Sequence, residues 1–370
     1  MNLNNRRDFI KKSVLGGLAL GTTGLIRSAG HIQEQSVLKT KDDARGPAQG
    51  VETTAKLLPE FPKFEYRGII MGYEHLKYRV HDDLCFISVF PAHKYLARPL
   101  GKYYMYYAPH DGGGVCLAYA DEIEGPWTEY DANPLFNNVW EPHYKVPHIS
   151  SPDAIWMEHE KKVFVYYHGD NFATRYATST DGIRFEYGGV AVDMRAHNFN
   201  DFAYSRVFPV TIPEHSIRYI MLSGGVDRES FKINPPLPGY RNYLSTSLDG
   251  HIWATSTIPI TPLPPGTDQT GAACYLRWKN RNFIITMGNL SGWDAKDNSA
   301  LITNIYLFEV DERLQNAKFQ GILLDRGVLA PEHSRFSSPC VLVEDNKIHL
   351  FFTAGKRLNE KAGYAIGNYK

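Results

Sequence analysis

Two short segments that each lead into an apolar, strand-like run carry carboxylates that could perform acid–base chemistry. Asp82 and Asp83 precede the run 84–90, and Asp153 ends a Ser-Ser-Pro-Asp unit ahead of alternating apolar residues. The Ser-Ser-Pro unit recurs near the C-terminus, where Cys340 takes the place of the aspartate. Hydrolysis needs one carboxylate to deprotonate water and one protonated group to donate to the leaving atom. The repetition therefore indicates a position set by the architecture, with chemistry in only some of its copies.

The elements that must position these carboxylates are β-strands. From residue 61 onward, short runs rich in Val, Ile, Tyr and Phe alternate with Gly, Pro, Asn and Asp turns, which is typical of strands. Strand pairs recur with first strands beginning near residues 84, 154, 207, 274 and 340. A repeated unit of three or four strands indicates a radial array. We therefore predict an all-β fold, a single five-bladed β-propeller with a central active-site funnel; two packed β-sandwich domains are the alternative.

In a propeller, the first strand of each blade lines the central axis. Residues near the start of these strands come from different blades and converge on one point. Asp82, Asp83 and Asp153 are predicted to be such residues, with Cys340 at the matching position of the fifth blade. Two Ser-x-Asp-Gly units, at 179–182 and 247–250, are hairpin turns in which the aspartates are expected to be structural.

Bulk properties exclude several classes of protein. The chain of 370 residues has 40 basic and 40 acidic residues, so no basic field favours nucleic acid. Nucleotide-binding, zinc-peptidase and serine-hydrolase motifs are not found in the sequence. The four cysteines are not arranged in a Cys-x-x-Cys pair, so we expect no metal, no disulfide and no cofactor. A structural calcium or sodium ion on the axis is compatible with the architecture but is not predicted.

The N-terminal residues read as an export segment. Residues 1–30 combine paired arginines, a basic stretch, a short apolar run and small residues, which is typical of a Tat-type signal peptide. Residues 31–60 are polar and aperiodic, as expected of a linker or N-terminal arm, and 61–370 form the predicted propeller. We expect a periplasmic or extracellular protein that does not insert into the membrane after signal removal. The oligomeric state is left open.

The chain resembles the five-bladed propeller glycoside hydrolases of families 43, 62, 32, 68 and 117. The resemblance rests on His-Asp-Asp at 81–83, Ser-Pro-Asp at 151–153 and the segment 101–130, which is similar to the outer strands of blade one in family 43. It implies that Asp82 is the general base and that Asp153 orients the general acid and tunes its pKa. Asp83 is the alternative base, because consecutive strand residues face opposite sides.

The general acid departs from this pattern. Family 43 has a Glu, usually in Glu-Gly-Pro, where blade three begins, whereas this chain has Ser205 and Arg206 there. Its Glu-Gly-Pro, at 124–126, lies in an outer hairpin of blade one. A histidine donor would resemble family 117, which acts on anhydro-galactose sugars. The candidates for the acid, all ahead of inner strands, are Asp201, Asp268, Glu332 and His333.

Several further residues are predicted to bind substrate: Arg206 through its planar guanidinium, His148 at the opening, Tyr204 by stacking, and Asp201 and Asp268. We expect an exported, inverting and exo-acting glycoside hydrolase. It would remove a terminal arabinose, xylose, galactose or anhydro-galactose from plant or algal oligosaccharides. A non-catalytic carbohydrate-binding propeller and a glycoside phosphorylase are the alternatives.

Overall fold

A computed structural model describes residues 58–78, 82–109, 113–212, 217–228, 239–290, 303–326, 335–356 and 358–368. The predicted signal peptide lies outside these residues, as does the predicted linker except for its last three positions. The regular secondary structure of the described residues is β-strand, apart from two 3-10 turns at Tyr73–His75 and Ala92–Lys94. None of them forms a helix long enough or apolar enough to cross a membrane.

The described strands form three separate four-stranded antiparallel blades, an eight-stranded sheet in which one parallel bridge between Thr303 and Arg335 joins two further blades, and a small extra hairpin. Blade 1 contains β2 (Cys85–Phe90), β3 (Tyr103–Ala108), β4 (Cys116–Ala120) and β5 (Thr128–Glu129). The extra hairpin contains β6 (Val139–Trp140) and β7 (Tyr144–Lys145). Blade 2 contains β8 (Ser150–Met157), β9 (Lys162–Gly169), β10 (Ala173–Ser179) and β11 (Glu186–Asp193). Blade 3 contains β12 (Phe199–Ile212), β13 (Ile217–Asp227), β14 (Arg241–Ser247) and β15 (Ala254–Pro259).

Blades 4 and 5 complete the ring. Blade 4 contains β16 (Thr267–Trp278), β17 (Arg281–Leu290), β18 (Thr303–Val310) and β19 (Ala317–Leu324). Blade 5 contains β20 (Arg335–Glu344), β21 (Lys347–Lys356), β22 (Asn359–Asn368) and β1 (Phe64–Met71). Because β1 pairs with β22, the N-terminal strand is the outer strand of the last blade, and the two ends of the fold are joined by hydrogen bonds.

The hydrophobic core is divided among the boundaries between blades. The part of the chain that the structure describes contains five apolar clusters, one between each pair of neighbouring blades. The inner strands contact one another in a closed order, β2, β8, β12, β16, β20 and again β2. The all-β propeller predicted from the repeated strand pairs is therefore confirmed, and the described strands group into five blades. Leu58 already packs on the cluster between blades 4 and 5, so the ordered fold begins before residue 61.

The two Ser-x-Asp-Gly turns are structural, as predicted. Asp181 accepts hydrogen bonds from the backbone N–H groups of residues 183 and 184, and Gly182 has a φ of 72°. The carbonyl of Gly182 accepts a 2.7 Å hydrogen bond from Tyr106 of the preceding blade. The second turn repeats the contact, because Tyr166 donates to the carbonyl of Gly250 at 2.6 Å. Each turn thus joins its own blade to the one before it.

Candidate active site

The inner strand of every blade carries a β-bulge at the same level of the propeller. The pairing of each inner strand with the second strand shifts register there, around a non-glycine residue in the left-handed region. Such a backbone conformation costs about 1–3 kcal/mol and often marks a functional site. The five residues are Phe86 (φ 52°), Ser151 (54°), Tyr204 (61°), Ala272 (47°) and Ser338 (50°).

The bulges give a common reference position from which residues of the five inner strands can be aligned. Four of the inner strands begin four to eight residues earlier than predicted, because their polar first residues were interpreted as turns. We use "mouth" for the end of the propeller where the inner strands begin. Residues three positions before the bulge lie toward the mouth, and residues two positions after it lie deeper along the axis. This deeper layer contains Ser88, Asp153, Arg206, Cys274 and Cys340, and all five are buried.

The deeper layer is centred on an ion pair between blades 2 and 3. Arg206 donates to Asp153 Oδ1 at 3.0 Å, and the backbone N–H of Val207 donates to Oδ2 at 2.7 Å. Ser88 of blade 1 lies 3.2 Å from Oδ1. Burial raises the pKa of Asp153, while Arg206, the Val207 amide and Ser88 stabilise the carboxylate and act in the opposite direction. Asp153 therefore points at the axis, as predicted, but it is sealed beneath the bulges.

Arg206 is not placed to contact a substrate, and that prediction is corrected. Its side chain is only 5% exposed. Besides Asp153, its guanidinium donates to the carbonyls of Ile87 in blade 1 and Ser338 in blade 5, at 2.9 and 3.1 Å. Arg206 therefore neutralises Asp153 and ties together blades 1, 2, 3 and 5 at the axis.

The sequence predicted that Asp82 and Asp83 lie at the same level of the propeller as Asp153, and this prediction is wrong. The matching prediction for Cys340 is confirmed. Asp82 and Asp83 stand four and three residues before the bulge at Phe86, and Ser88 occupies the position that matches Asp153. A bulge inserts an extra residue and resets strand alternation, so counting along the sequence alone gives the wrong level.

The two adjacent aspartates have opposite surroundings. Asp83 is 2% exposed and accepts a 2.8 Å hydrogen bond from the backbone N–H of Glu360 in blade 5. It therefore holds blade 5 against blade 1, and its burial argues against the catalytic role considered for it. Asp82 is exposed near the mouth, which suits a carboxylate that must reach water.

A hydrogen-bonded chain of polar side chains crosses from blade 2 to blade 3 at the mouth. His148 Nε2 lies 3.1 Å from Asn171 Oδ1, and Asn171 Nδ2 donates to Asp201 Oδ2 at 3.2 Å. His148 and Asp201 both stand three positions before their bulges. The structure thus brings together two residues predicted separately, and it adds Asn171, which sequence reasoning missed.

Asp201 is a carboxyl at the mouth, and its pKa is shifted upward, which is the direction that an acid catalyst needs. Burial raises the pKa of Asp201 to about 6, although the neighbouring Tyr240 hydroxyl and Asn171 amide oppose the shift. A carboxyl with this pKa holds its proton in a mildly acidic medium and can donate it there. Asp201 therefore has the chemistry that the role of general acid requires.

Aromatic rings close the axis directly below this polar chain. Phe86 of blade 1 stacks on Tyr204 of blade 3 with ring centroids 4.8 Å apart. His168 and Tyr240 meet Tyr204 at 5.3 and 5.2 Å. The space next to this stack is too narrow to hold even a water-sized molecule, whereas small-molecule pockets have volumes of ~300–1,000 Å³. Within the described residues, these rings thus form a closed floor across the axis, and the predicted central active-site funnel stays a prediction.

The remaining candidates are Asp268, Glu332 and His333. Asp268 is four positions before the bulge at Ala272 and accepts a 3.2 Å hydrogen bond from Asn289 within blade 4. It is not part of the His148–Asn171–Asp201 chain. Glu332 and His333 lie outside the described residues. Sequence reasoning missed Phe86, Asn171, His168 and Tyr240, and no local pattern in the sequence marks them.

Comparison with solved structures identifies the class of fold. An α-L-arabinofuranosidase from Podospora anserina, in complex with cellotriose, has a TM-score of 0.56 at 11% identity over 84% of this chain and 98% of that one. A putative glycoside hydrolase from Bacteroides ovatus has the same TM-score at 13% identity, covering 84% and 94%. An exo-1,5-α-L-arabinanase from a bovine ruminal metagenomic library has a TM-score of 0.51 at 14% identity, covering 77% and 92%.

These solved structures share their fold with this chain, so the fold implied by the resemblance is confirmed. At such low identity, the likeness is one of fold. No family model and no curated protein matches the sequence.

Proposed function

We propose that the protein is an inverting, exo-acting glycoside hydrolase that removes a terminal arabinose- or xylose-type sugar from an oligosaccharide. The observation that carries the proposal is Asp201, a mouth-facing carboxyl whose pKa is raised to about 6. The shared fold supports the substrate class, because relatives of that fold include an arabinofuranosidase and an arabinanase. The closed floor formed by Phe86 and Tyr204 supports exo action, because a chain end can abut it.

In the proposed mechanism, Asp201 donates its proton to the glycosidic oxygen as the bond to the anomeric carbon breaks. Asp82 takes a proton from a water molecule that attacks the opposite face of the sugar. Inversion requires the two carboxyls to stand about 6.5–9.5 Å apart so that this water fits between them and the sugar. Asn171 and His148 hold Asp201 in position through the hydrogen-bonded chain.

Asp153 serves in this proposal as a positioning residue. Its Oδ2 holds the backbone of β12 at Val207, three residues after the bulge that aims Asp201 and Tyr204 toward the mouth. This replaces the direct tuning of the acid that the resemblance implied. We further propose that the protein is exported, which the twin arginines and apolar run of residues 1–30 support.

The test is a screen of purified protein against arabino- and xylo-oligosaccharides, with product anomers followed by NMR. We expect the inverted anomer of a monosaccharide, and the Asp82→Asn variant should lose turnover about 10²–10⁴-fold while retaining sugar binding. Asp227→Asn is the control, because it makes the same change at a carboxylate that has no part in the proposed mechanism. Asp227 lies on β13, next to the residue that pairs with Asp201. Unchanged turnover in Asp82→Asn would remove Asp82 from the mechanism. Product formation that requires inorganic phosphate would identify a phosphorylase.

A carbohydrate-binding propeller is the second candidate. It is favoured by one observation: the axial carboxylate Asp153 is engaged by Arg206 and does not reach the mouth. Binding of an oligosaccharide with no product after prolonged incubation would establish this function instead.

A further inference from the structure

At the end of β8 opposite to the mouth, three side chains that can bind metals converge from two blades. His159 and Glu160 lie in the turn between β8 and β9 of blade 2, and His251 lies in the turn between β14 and β15 of blade 3. One ligand atom from each, an imidazole nitrogen or a carboxylate oxygen, lies within 4.8 Å of the other two. His159 Nε2 is 3.7 Å from Glu160 Oε1, and His251 Nε2 contacts the same oxygen.

The second nitrogen of each imidazole is held by a tyrosine. His159 Nδ1 lies 3.1 Å from the Tyr219 hydroxyl, and His251 Nδ1 lies 2.7 Å from the Tyr176 hydroxyl. Both rings are thereby turned with Nε2 toward Glu160. Metal-binding histidines usually have such a partner, which fixes the tautomer and the ring orientation.

The carboxylate of Glu160 faces the two imidazoles, while the adjacent basic side chain is engaged elsewhere. Lys161 directs its ammonium group to Glu158. The three side chains are 28–34% exposed, and His159 and Tyr219 also line an open groove between blades 2 and 3. A cation could therefore reach the cluster from solvent.

We propose that His159, Glu160 and His251 form a binding site for a divalent transition metal, zinc in the first instance, that joins blade 2 to blade 3. Two imidazoles and one carboxylate are a common protein ligand set for zinc, with water in the fourth position. Calcium and magnesium prefer sets of oxygen ligands, so the imidazoles select against them. The site revises the expectation from the sequence that the chain binds no metal, and it is separate from the proposed catalytic residues.

The experiment uses untagged protein stripped with a chelator and titrated with zinc chloride, with metal content measured by mass spectrometry and affinity by calorimetry. We expect one zinc ion for each chain and a rise in Tm of about 3 °C at zinc well above Kd. Glu160→Gln and His251→Gln should each weaken binding by at least tenfold. Tyr176→Phe, which keeps all three ligands, should weaken it by about 10–100-fold.

A matched control is available in the pair formed by His93 and Glu344, 3.4 Å apart, where the carboxylate already binds Lys94. His93→Gln should leave zinc binding unchanged. Equal zinc binding in wild type and the His159→Gln/His251→Gln double variant would overturn the proposal, as would an equal Tm rise with calcium. Metal-free Tm values of the variants close to that of wild type would show that they are folded.

Discussion

Replacing Asp201 by Asn should lower activity and raise stability at the same time. Burial raises the pKa of Asp201 from 3.8 to about 6. At about 1.36 kcal/mol for each pKa unit, the ionised carboxylate costs the folded state about 2–3 kcal/mol. Because the folded pKa is raised, the contribution of Asp201 to stability is complete below pH 4 and is lost as the pH rises through 6. Asn has no charge to bury, so the variant avoids this cost.

Denaturant unfolding at pH 8 and pH 4.5 measures the stability effect. We expect the free energy of unfolding of Asp201→Asn to exceed that of wild type by about 2–3 kcal/mol at pH 8, with a much smaller difference at pH 4.5. A variant that is less stable by the same amount at both pH values would refute the desolvation of Asp201. Asp227→Asn on the neighbouring strand should show no comparable gain at pH 8.

Activity measurements test the catalytic half of the same prediction. The kcat/KM of wild type should decline above pH 6, as the proton that Asp201 donates is lost. Asp201→Asn should lose about 10²–10⁴-fold on oligosaccharides, whose leaving oxygen needs protonation. The loss should be much smaller on nitrophenyl glycosides, whose leaving group departs without a proton. Equal losses on both substrates would show that Asp201 is not the acid.

Two further predictions concern the axis. Asp153→Asn leaves Arg206 buried without its counter-charge and should lower the free energy of unfolding by about 3–5 kcal/mol, measured with denaturant. The double variant Asp153→Asn/Arg206→Met should recover at least half of this loss. A loss below about 1 kcal/mol would contradict an ion pair that is shielded from water. Ser338 has a φ of 50°, so Ser338→Gly should leave the free energy of unfolding unchanged or raise it. Ser150 is also buried but has no positive φ, so Ser150→Gly should lower the free energy of unfolding by about 0.5–1 kcal/mol. Equal losses in the two variants would argue against strain at the bulge.

The fold could be predicted from the sequence because its signals are local and repeated. The strand pairs, the Ser-x-Asp-Gly turns and the recurring Ser-Ser-Pro unit are each readable within a few residues, and the last one correctly matched Asp153 with Cys340. The closing of blade 5 by β1 was missed, because its partner β22 lies at the opposite end of the sequence.

The site was less predictable, because its geometry depends on the bulges and on contacts between blades. The residue at the blade-one bulge, Phe86, has no glycine or turn signal, so Asp82 was assigned to the level of Asp153. Arg206 was predicted to bind substrate. Its actual partners, Asp153 and two carbonyls from other blades, are distant in the sequence and no local pattern indicates them. Asp201 was named as one of four candidates, and its hydrogen-bonded chain to His148 through Asn171, which joins two blades, could not be read from the sequence.

The five strained residues explain how one set of strands can build both a stable axis and a polar mouth. In a regular strand, successive side chains point to opposite faces. In such a strand, burying Asp153 or Arg206 would also fix which residue faces the mouth. The bulge breaks that alternation once in every blade, at the same level. Below it, the ion pair and thiols pack the axis; above it, His148 and Asp201 meet across Asn171. The cost of the left-handed residues therefore falls at the level that separates the buried axis from the polar mouth.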